Sequence, residues 1–497
     1  MSRHHLSLGS LVLLLAGLLA GSPSALPAAV SQTKGEPYEA SGPAQAVPNS
    51  PNVVVVLVDD ARYDDLATLP VIKSRIGATG ATLTDFYAPF PLCCPSRATL
   101  LTGQYAHNHG VLANEAPLGG FSGFDDSSTL ATWLTPTYTT GLIGKYLNQY
   151  QVPYKPPGWD EWMVPRGTYD YLNEAWSINT GSGPSNKRYP GYQTDTMGQL
   201  AESFIRRHAS DRDPFFLYTS IVAPHAGNPA DPQDPAGFPT PFVKPEYRNV
   251  FEGRAITDRS FNEADVGDKP VRPSPLRPAE IAGLTEANAQ RREALLSAQD
   301  ATVQILDTLR DTGELDNTFV FFMSDNGYIL GEHRIRGGKV APYEVSNRVP
   351  MLVRGPGIAP GTVVDQVTSQ VDFAPTVLAM TGNLGANDTP IDGINLIPFL
   401  QDPNSARTSR EAVVLEAGPE SSTTTRYRYQ GVRSGQWKYV ERQGGQEELY
   451  DLRGDPYELE NVAARPGFGQ TPVQRQAQTR LDVLLDRYRW CAGAKCR

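Results

Sequence analysis

The sequence predicts an α/β protein: a large doubly wound domain on a mixed or parallel sheet, followed by a small C-terminal α+β subdomain of antiparallel sheet plus helix. Three observations carry this. Residues 53–58 form an unbroken, mostly β-branched apolar run, as expected of a strand buried on both faces of a parallel sheet. Residues 318–323 form a second such run. Between them Leu295, Ala298, Thr302, Ile305, Leu306 and Leu309 recur at helical spacing, which predicts an amphipathic helix with Gly313 just past its end. From about residue 410 the pattern changes to short runs (412–415, 429–433, 437–442 and 447–450) and then a helix over about 472–488.

Taken in order, residues 1–30 read as a secretory signal. Arg3, His4 and His5 give a polar start, 11–20 an apolar core, and 22–29 a small-residue stretch. That core is too short for the ~30 Å of a bilayer interior, and no cysteine follows it to carry a lipid. The expectation is an exported protein, extracellular or periplasmic, with no membrane anchor. Residues 31–50, rich in Pro, Ala, Ser and Gly, read as a flexible leader. A catalytic domain is expected over 51–405 and the subdomain over 406–497. Shorter strands are expected at 214–221 and 349–353. The Pro- and Asp-rich stretch 227–279 predicts a long functional or mobile loop. With the Tyr-, Trp- and Gly-bearing stretch 160–195, it is expected to line a pocket.

Composition excludes several classes. Lys plus Arg number 44 against 54 Asp plus Glu, a formal charge of −10 with no long run of one sign, which argues against a nucleic-acid partner. Hydrophobic residues make up 40% of the chain, enough for a packed core and too many for a disordered chain. The 4 cysteines are too few for a disulfide scaffold or zinc ribbon. Cys491 and Cys496 are spaced to close one small loop, whereas adjacent Cys93 and Cys94 would strain a mutual disulfide.

Chemistry gathers where the strands end. Asp59 and Asp60 follow one buried strand, and Asp325 and Asn326 follow the other. In open α/β sheets ligands collect outside the carboxyl ends of the strands. Three carboxylates and an amide meeting there require a cation, and hard oxygen donors suit Ca²⁺ or Mg²⁺. The plainer alternative is that each acid caps the next helix. Cys93 sits just before a helix start, with Arg97 one turn on. It is either a thiol activated by the helix amides or an ordinary buried cysteine.

The run Pro91-Leu92-Cys93-Cys94-Pro95-Ser96-Arg97, continued by Leu101-Thr102-Gly103, resembles the signature of the sulfatases of the alkaline-phosphatase-like superfamily. Asp59-Asp60, Gly144-Lys145, Pro224-His225, Ser324-Asp325-Asn326-Gly327, Gly338-Lys339 with Tyr343-Glu344, and Trp437-Lys438-Tyr439 follow in the same order, so the resemblance spans roughly residues 50–465. His107-Asn108-His109, Gly144 to Asn148 and Pro156-Pro157-Gly158-Trp159 are similar to glucosamine-6-sulfatases and extracellular heparan endosulfatases.

The resemblance implies hydrolysis of aryl or carbohydrate sulfate esters. It implies that a maturation enzyme oxidises Cys93 to formylglycine. One hydroxyl of the hydrated aldehyde attacks sulfur, and the other lets sulfate depart. One divalent cation, Ca²⁺ by preference over Mg²⁺, would be held by Asp59, Asp60, Cys93, Asp325 and Asn326. Arg97 joins the catalytic set, Lys145, His225, Lys339 and His109 bind substrate, and His225 or Lys339 protonates the leaving group. One position departs from the family pattern: Leu147 stands where many arylsulfatases carry a histidine. His107, His109 and His333, with help from Asn148, are the candidates to replace that base. The rivals are a phosphoester hydrolase of the same superfamily and a non-catalytic protein that binds sulfated glycans.

Overall fold

The computed structural model describes residues 50–404, 410–418, 427–464 and 469–497. The expected signal, 1–30, and all but the last residue of the expected leader, 31–50, lie outside the described residues. The strands, in chain order, are β1 (Asn52–Val58), β2 (Ala81–Leu83), β3 (Phe86–Tyr87), β4 (Thr139–Gly144), β5 (Glu161–Pro165), β6 (Ala175–Asn179), β7 (Ser185–Arg188), β8 (Phe215–Ser220), β9 (Thr318–Ser324), β10 (Met351–Arg354), β11 (Thr362–Val364), β12 (Thr368–Ser369), β13 (Val413–Ala417), β14 (Tyr429–Ser434), β15 (Trp437–Arg442) and β16 (Glu447–Asp451).

Ten of them form one sheet in the order β11-β2-β10-β9-β1-β8-β4-β5-β6-β7. Its centre, β9-β1-β8-β4-β5, is parallel. Antiparallel neighbours flank it, β10 on one side and β6-β7 on the other. β1 is buried along its whole length. Val53, Val55 and Leu57 enter one core, and Val54, Val56 and Val58 enter the core on the opposite face. Each such side chain contributes about 1.5–3 kcal/mol of transfer free energy, so the strand with no polar face is the one best placed at the centre. The expected α/β class and the C-terminal antiparallel sheet are both present.

The helix read from positions 295–309 is longer than its apolar spacing indicates: it runs Pro278–Asp311. Its first half is polar because it is buried by hydrogen bonding. Gln290 donates to the Gln233 carbonyl at 2.8 Å, and the Glu293 carboxylate accepts from the Phe251 amide at 2.9 Å. The 227–279 stretch, expected as a functional or mobile loop, therefore lies along this helix on specific polar contacts.

β13–β16 form a separate sheet. Val413, Leu415 and Ala417 pack on Tyr87, Phe90 and Ala106, while Val414 packs with Leu481, Leu485 and Tyr488 of the helix Pro472–Tyr488. Lys438 is fully buried, with Glu344 at 2.9 Å and Glu458 at 2.5 Å. Cys491 and Cys496 are joined in a disulfide, and the Cys491 carbonyl accepts from Asn108 at 2.8 Å.

The register aims the strand ends at one place. Leu57 and Gly144 both pair with Ser220, and Val58 pairs with Ser324. The next residues, Asp59, Lys145 and Asp325, therefore emerge side by side. Gly144 makes the exit of β4 fit: its φ is 104°, and a Cβ there would lie 2.1 Å from the Ser220 carbonyl oxygen. Gly144→Ala is expected to cost about 1–3 kcal/mol of stability through the left-handed backbone alone, and more through the clash. Thermal unfolding checks the first effect, and loss of turnover checks the displacement of Lys145.

Candidate active site

The carboxyl ends of four adjacent parallel strands, β9, β1, β8 and β4, carry the site. Asp59, Asp60, Asp325 and Asn326 are all buried, and single oxygens of Asp59, Asp60 and Asp325 lie within 4.8 Å of one another. The Asp60 amide donates to Asp325 Oδ1 at 3.0 Å, and the Asn326 amide donates to the same oxygen at 2.8 Å. Asp60 has a positive φ of 74°. Its carbonyl accepts from Arg291 Nη2 at 2.6 Å, while Arg291 Nη1 reaches the Pro224 carbonyl at 3.2 Å.

Cys93 opens the helix Cys93–Thr102, whose residues are all buried. Its amide-rich end is closed by Asn114, which accepts from the Cys94 amide at 2.9 Å. Cys93 Sγ lies 3.4 Å from Asp59 Oδ1 and 3.0 Å from Lys339 Nζ. One turn on, Ser96 Oγ donates to the Asp325 carbonyl at 2.5 Å, and Gln370 donates to that carbonyl at 2.6 Å. Arg97 is buried beneath the carboxylates. It donates to Asp325 Oδ2 at 2.9 Å, to Ser220 Oγ at 2.6 Å and to the Lys145 carbonyl at 3.1 Å.

Each carboxylate faces a cation. Lys145 pairs with Asp59, Lys339 with Asp60, and Arg97 with Asp325. His225 Nε2 stands 3.9 Å from Asp60 Oδ2, and its Nδ1 donates to the Ala226 carbonyl at 2.6 Å. Burial opposes ionisation of Asp59, but Lys145, His225, Arg97 and Lys339 outweigh it and hold this carboxyl well below its usual range. Asp325 goes the other way: burial and then the neighbouring Asp59 charge push it up despite Arg97.

These residues fit a hard divalent cation. The donors are oxygens, and Asn326 Oδ1 is buried with no hydrogen-bond partner while its Nδ2 is fully used by Asp60 Oδ1 at 2.6 Å and the Gly327 carbonyl at 2.8 Å. An orphaned buried acceptor is costly, and a cation among these carboxylates would satisfy it. Cys93 does not fit the activated-thiol reading. Burial, followed by the Asp59 charge, pushes its thiol up to about 12, so the helix end and two lysines do not make it a thiolate.

A family model described as Sulfatase matches residues 51–383. The chain belongs to the sulfatase family. The C-terminal part of this sulfatase, residues 331–486, also matches a model described as N-sulphoglucosamine sulphohydrolase, C-terminal. The chain is 30% identical to the N-acetylglucosamine-6-sulfatase of Capra hircus, over 90% of this chain and 85% of the relative. Two solved structures show the same fold. One is a protein in complex with its substrate D-glucosamine-2-N,6-O-disulfate (23% identity, TM-score 0.68, 88% of this chain and 97% of that one). The other is the phosphonate monoester hydrolase of Agrobacterium radiobacter (22% identity, TM-score 0.64, 89% and 96%). The protein is a sulfuric ester hydrolase by family membership, which sets aside the non-catalytic glycan-binding alternative.

The histidines expected to supply a base in this sulfatase are engaged elsewhere. His109 contacts Thr99 Oγ1 at 3.0 Å through Nε2 and accepts from the Val111 amide at 3.1 Å through Nδ1. Burial lowers it to about 3, which favours the neutral ring, and both of its nitrogens are taken by Thr99 and Val111. His107 bridges Glu416 at 2.9 Å and the Cys491 carbonyl at 2.9 Å. His333 bonds Glu263 at 2.7 Å and packs on Tyr343. Leu147 itself is buried in the core. Among the described residues, two others reach the site without a motif to announce them. Arg291 holds the Asp60 backbone. Tyr169, in the 160–195 stretch, lies against His225 and Lys145 with ring-centre distances of 4.6 Å to the imidazole and 5.0 Å to Lys145 Nζ. The same stretch also contributes β5, β6 and β7 at one end of the large sheet.

Proposed function

We propose that this sulfatase hydrolyses a carbohydrate sulfate ester with formylglycine at position 93 and one divalent cation, Ca²⁺ by preference. The observation that carries the reading is the meeting of Cys93, three carboxylates, the orphaned Asn326 oxygen, two lysines and His225 at one set of strand ends. Formylglycine made from Cys93 by a maturation enzyme would supply a hydrated aldehyde, with one hydroxyl to attack sulfur and a second to let sulfate leave. A cation held by Asp59, Asp60, Asp325, Asn326 and the residue at 93 would polarise a sulfate oxygen and the attacking hydroxyl.

The chain's own side chains divide the remaining work. The bound cation would offset the carboxylates, so that Lys145 and Lys339 present net positive charge to an anionic ester. Arg97, having no open face, holds Asp325 and the β4 exit in place. His225, anchored through Nδ1, turns Nε2 toward the cluster, and His225 or Lys339 holds the proton for the leaving oxygen. The glycan class is supported by the likeness to N-acetylglucosamine-6-sulfatase. Export is supported by the 1–30 segment, and a catalytic domain of 51–405 with a subdomain of 406–497 by the change of pattern near residue 410.

The experiment compares kcat/KM of His225→Ala, Lys339→Ala and Lys145→Ala on an activated aryl sulfate and on a sugar sulfate. An alkyl oxygen leaves poorly without a proton, so loss of the general acid is expected to cost about 10²–10⁴-fold on the sugar sulfate and far less on the aryl one. Lys145→Ala should harm both substrates alike. The opposite pattern reverses the roles. Preference of the matured wild type for phosphate over sulfate esters overturns the substrate class.

A further inference from the structure

Resting on that reading of the site, we infer that Tyr169 is a positioning residue which holds the His225 imidazole, in a clamp made by the loop 167–172 and closed by Asn148. One ring contact and three hydrogen bonds build the clamp. The Tyr169 ring stacks on the imidazole with centres 4.6 Å apart and planes 25° apart. Tyr171 Oη donates to the His225 carbonyl at 2.7 Å. The Asn228 amide donates to the Tyr169 carbonyl at 2.7 Å, and the Tyr171 amide donates to the Asn228 carbonyl at 2.7 Å. Loop and histidine segment are thus laced together at His225 and three residues after it.

The far end of Tyr169 is fixed as well. Asn148 Nδ2 donates to Tyr169 Oη at 2.9 Å, and Lys145 Nζ stands 5.0 Å over the ring, within cation–π range. Asn148 is one residue past Leu147, the position where the sequence lacks the histidine common in arylsulfatases. The geometry therefore supplies order at this wall of the site with an aromatic face in place of a second imidazole. His225 has one hydrogen bond to fix its ring, from Nδ1 to Ala226. That bond ties one edge of a ring tethered at Cβ, and the stacked phenol covers the face and adds a second restraint on its tilt.

The test is a double-mutant cycle with Tyr169→Leu and His225→Ala, read on N-acetylglucosamine 6-sulfate and N-acetylglucosamine 6-phosphate, whose alkyl oxygens need a proton to leave, so that it has a substrate under either ester chemistry. In the matured enzyme Tyr169→Leu is expected to lower kcat roughly 10- to 100-fold, the size of a small misplacement of a reacting group, with KM within about twofold. In the His225→Ala background the same change should cost under about twofold, because residues acting as a unit are non-additive. Tyr169→Phe, which keeps the stack and loses the Asn148 bond, should retain most of kcat. An unchanged thermal midpoint verifies that both variants fold. The inference is overturned if Tyr169→Leu costs as much without His225 as with it, if its whole effect is on KM, or if Tyr169→Phe is as damaged as Tyr169→Leu. Turnover of the phosphate alone by the wild type would instead overturn the sulfate reading, and the coupling would still decide the role of Tyr169.

Discussion

Replacing Cys93 by alanine is expected to remove turnover by on the order of 10⁶-fold, the loss that follows removal of a covalent nucleophile from a hydrolase. Cys94→Ser should remain within about tenfold, since its amide, rather than its sulfur, makes the contact to Asn114 and a small buried exchange costs modestly. Peptide mass spectrometry over residues 86–97 of active protein should find aldehyde at 93 and thiol at 94. The contrast is sharp because both cysteines are buried and free, so burial alone does not separate them. What separates them is direction: Cys93 Sγ faces Asp59 and Lys339. Full activity in protein whose Cys93 is an unmodified thiol would sink the mechanism, because a thiol pushed up to about 12 is a poor nucleophile at neutral pH.

The second large effect is at Asp325. Asp325→Ala is expected to abolish stoichiometric divalent metal and to destabilise the fold by about 3–5 kcal/mol, because it leaves the Arg97 guanidinium buried without its nearest carboxylate. Asp325→Asn fills the same space but gives up the charge, and because both Asp325 oxygens accept from N–H groups its NH2 must face a donor. Metal affinity and stability should therefore fall in both variants, with the cavity adding a further cost in the alanine alone. Elemental analysis of dialysed protein reads the first. Thermal unfolding with and without Ca²⁺ reads the second, with a cation at 100 times its Kd adding about 2.7 kcal/mol in the wild type. Retention of one equivalent of metal and of activity in Asp325→Ala would show that the carboxylates do not act as one site.

Residues that end a hydrophobic run or start a helix were legible in the chain. Asp59, Cys93 and Asp325 are announced by what precedes them, because a strand buried on both faces has to be written in apolar residues. Tyr169 and Arg291 were not. Tyr169 is in the loop joining β5 to β6, where neither hydrophobic period applies. Arg291 lies on the polar half of a long helix, whose burial depends on hydrogen bonds that no periodicity records. β4, read as no strand, carries two glycines in Thr139–Gly144, which cut its apolar run down to Leu142 and Ile143. The histidines at 107, 109 and 333 failed for another reason: sequence gives nearness along the chain, not the direction in which a ring points. His107 and His109 belong to the short helix after Gly103, which turns them toward Glu416 and Thr99.

β13 spends one face on the large sheet's side of the molecule and the other on the C-terminal helix. Tyr87, Phe90 and Ala106, the large domain's share of that contact, lie just before and just after the helix that begins at Cys93. Parting the two modules would therefore bare apolar surface on both. The two modules are thus expected to melt together in one transition. Sequence drift in the small module is accordingly heard at the nucleophile, and an exchange of this module between relatives would have to carry the facing aromatic residues with it.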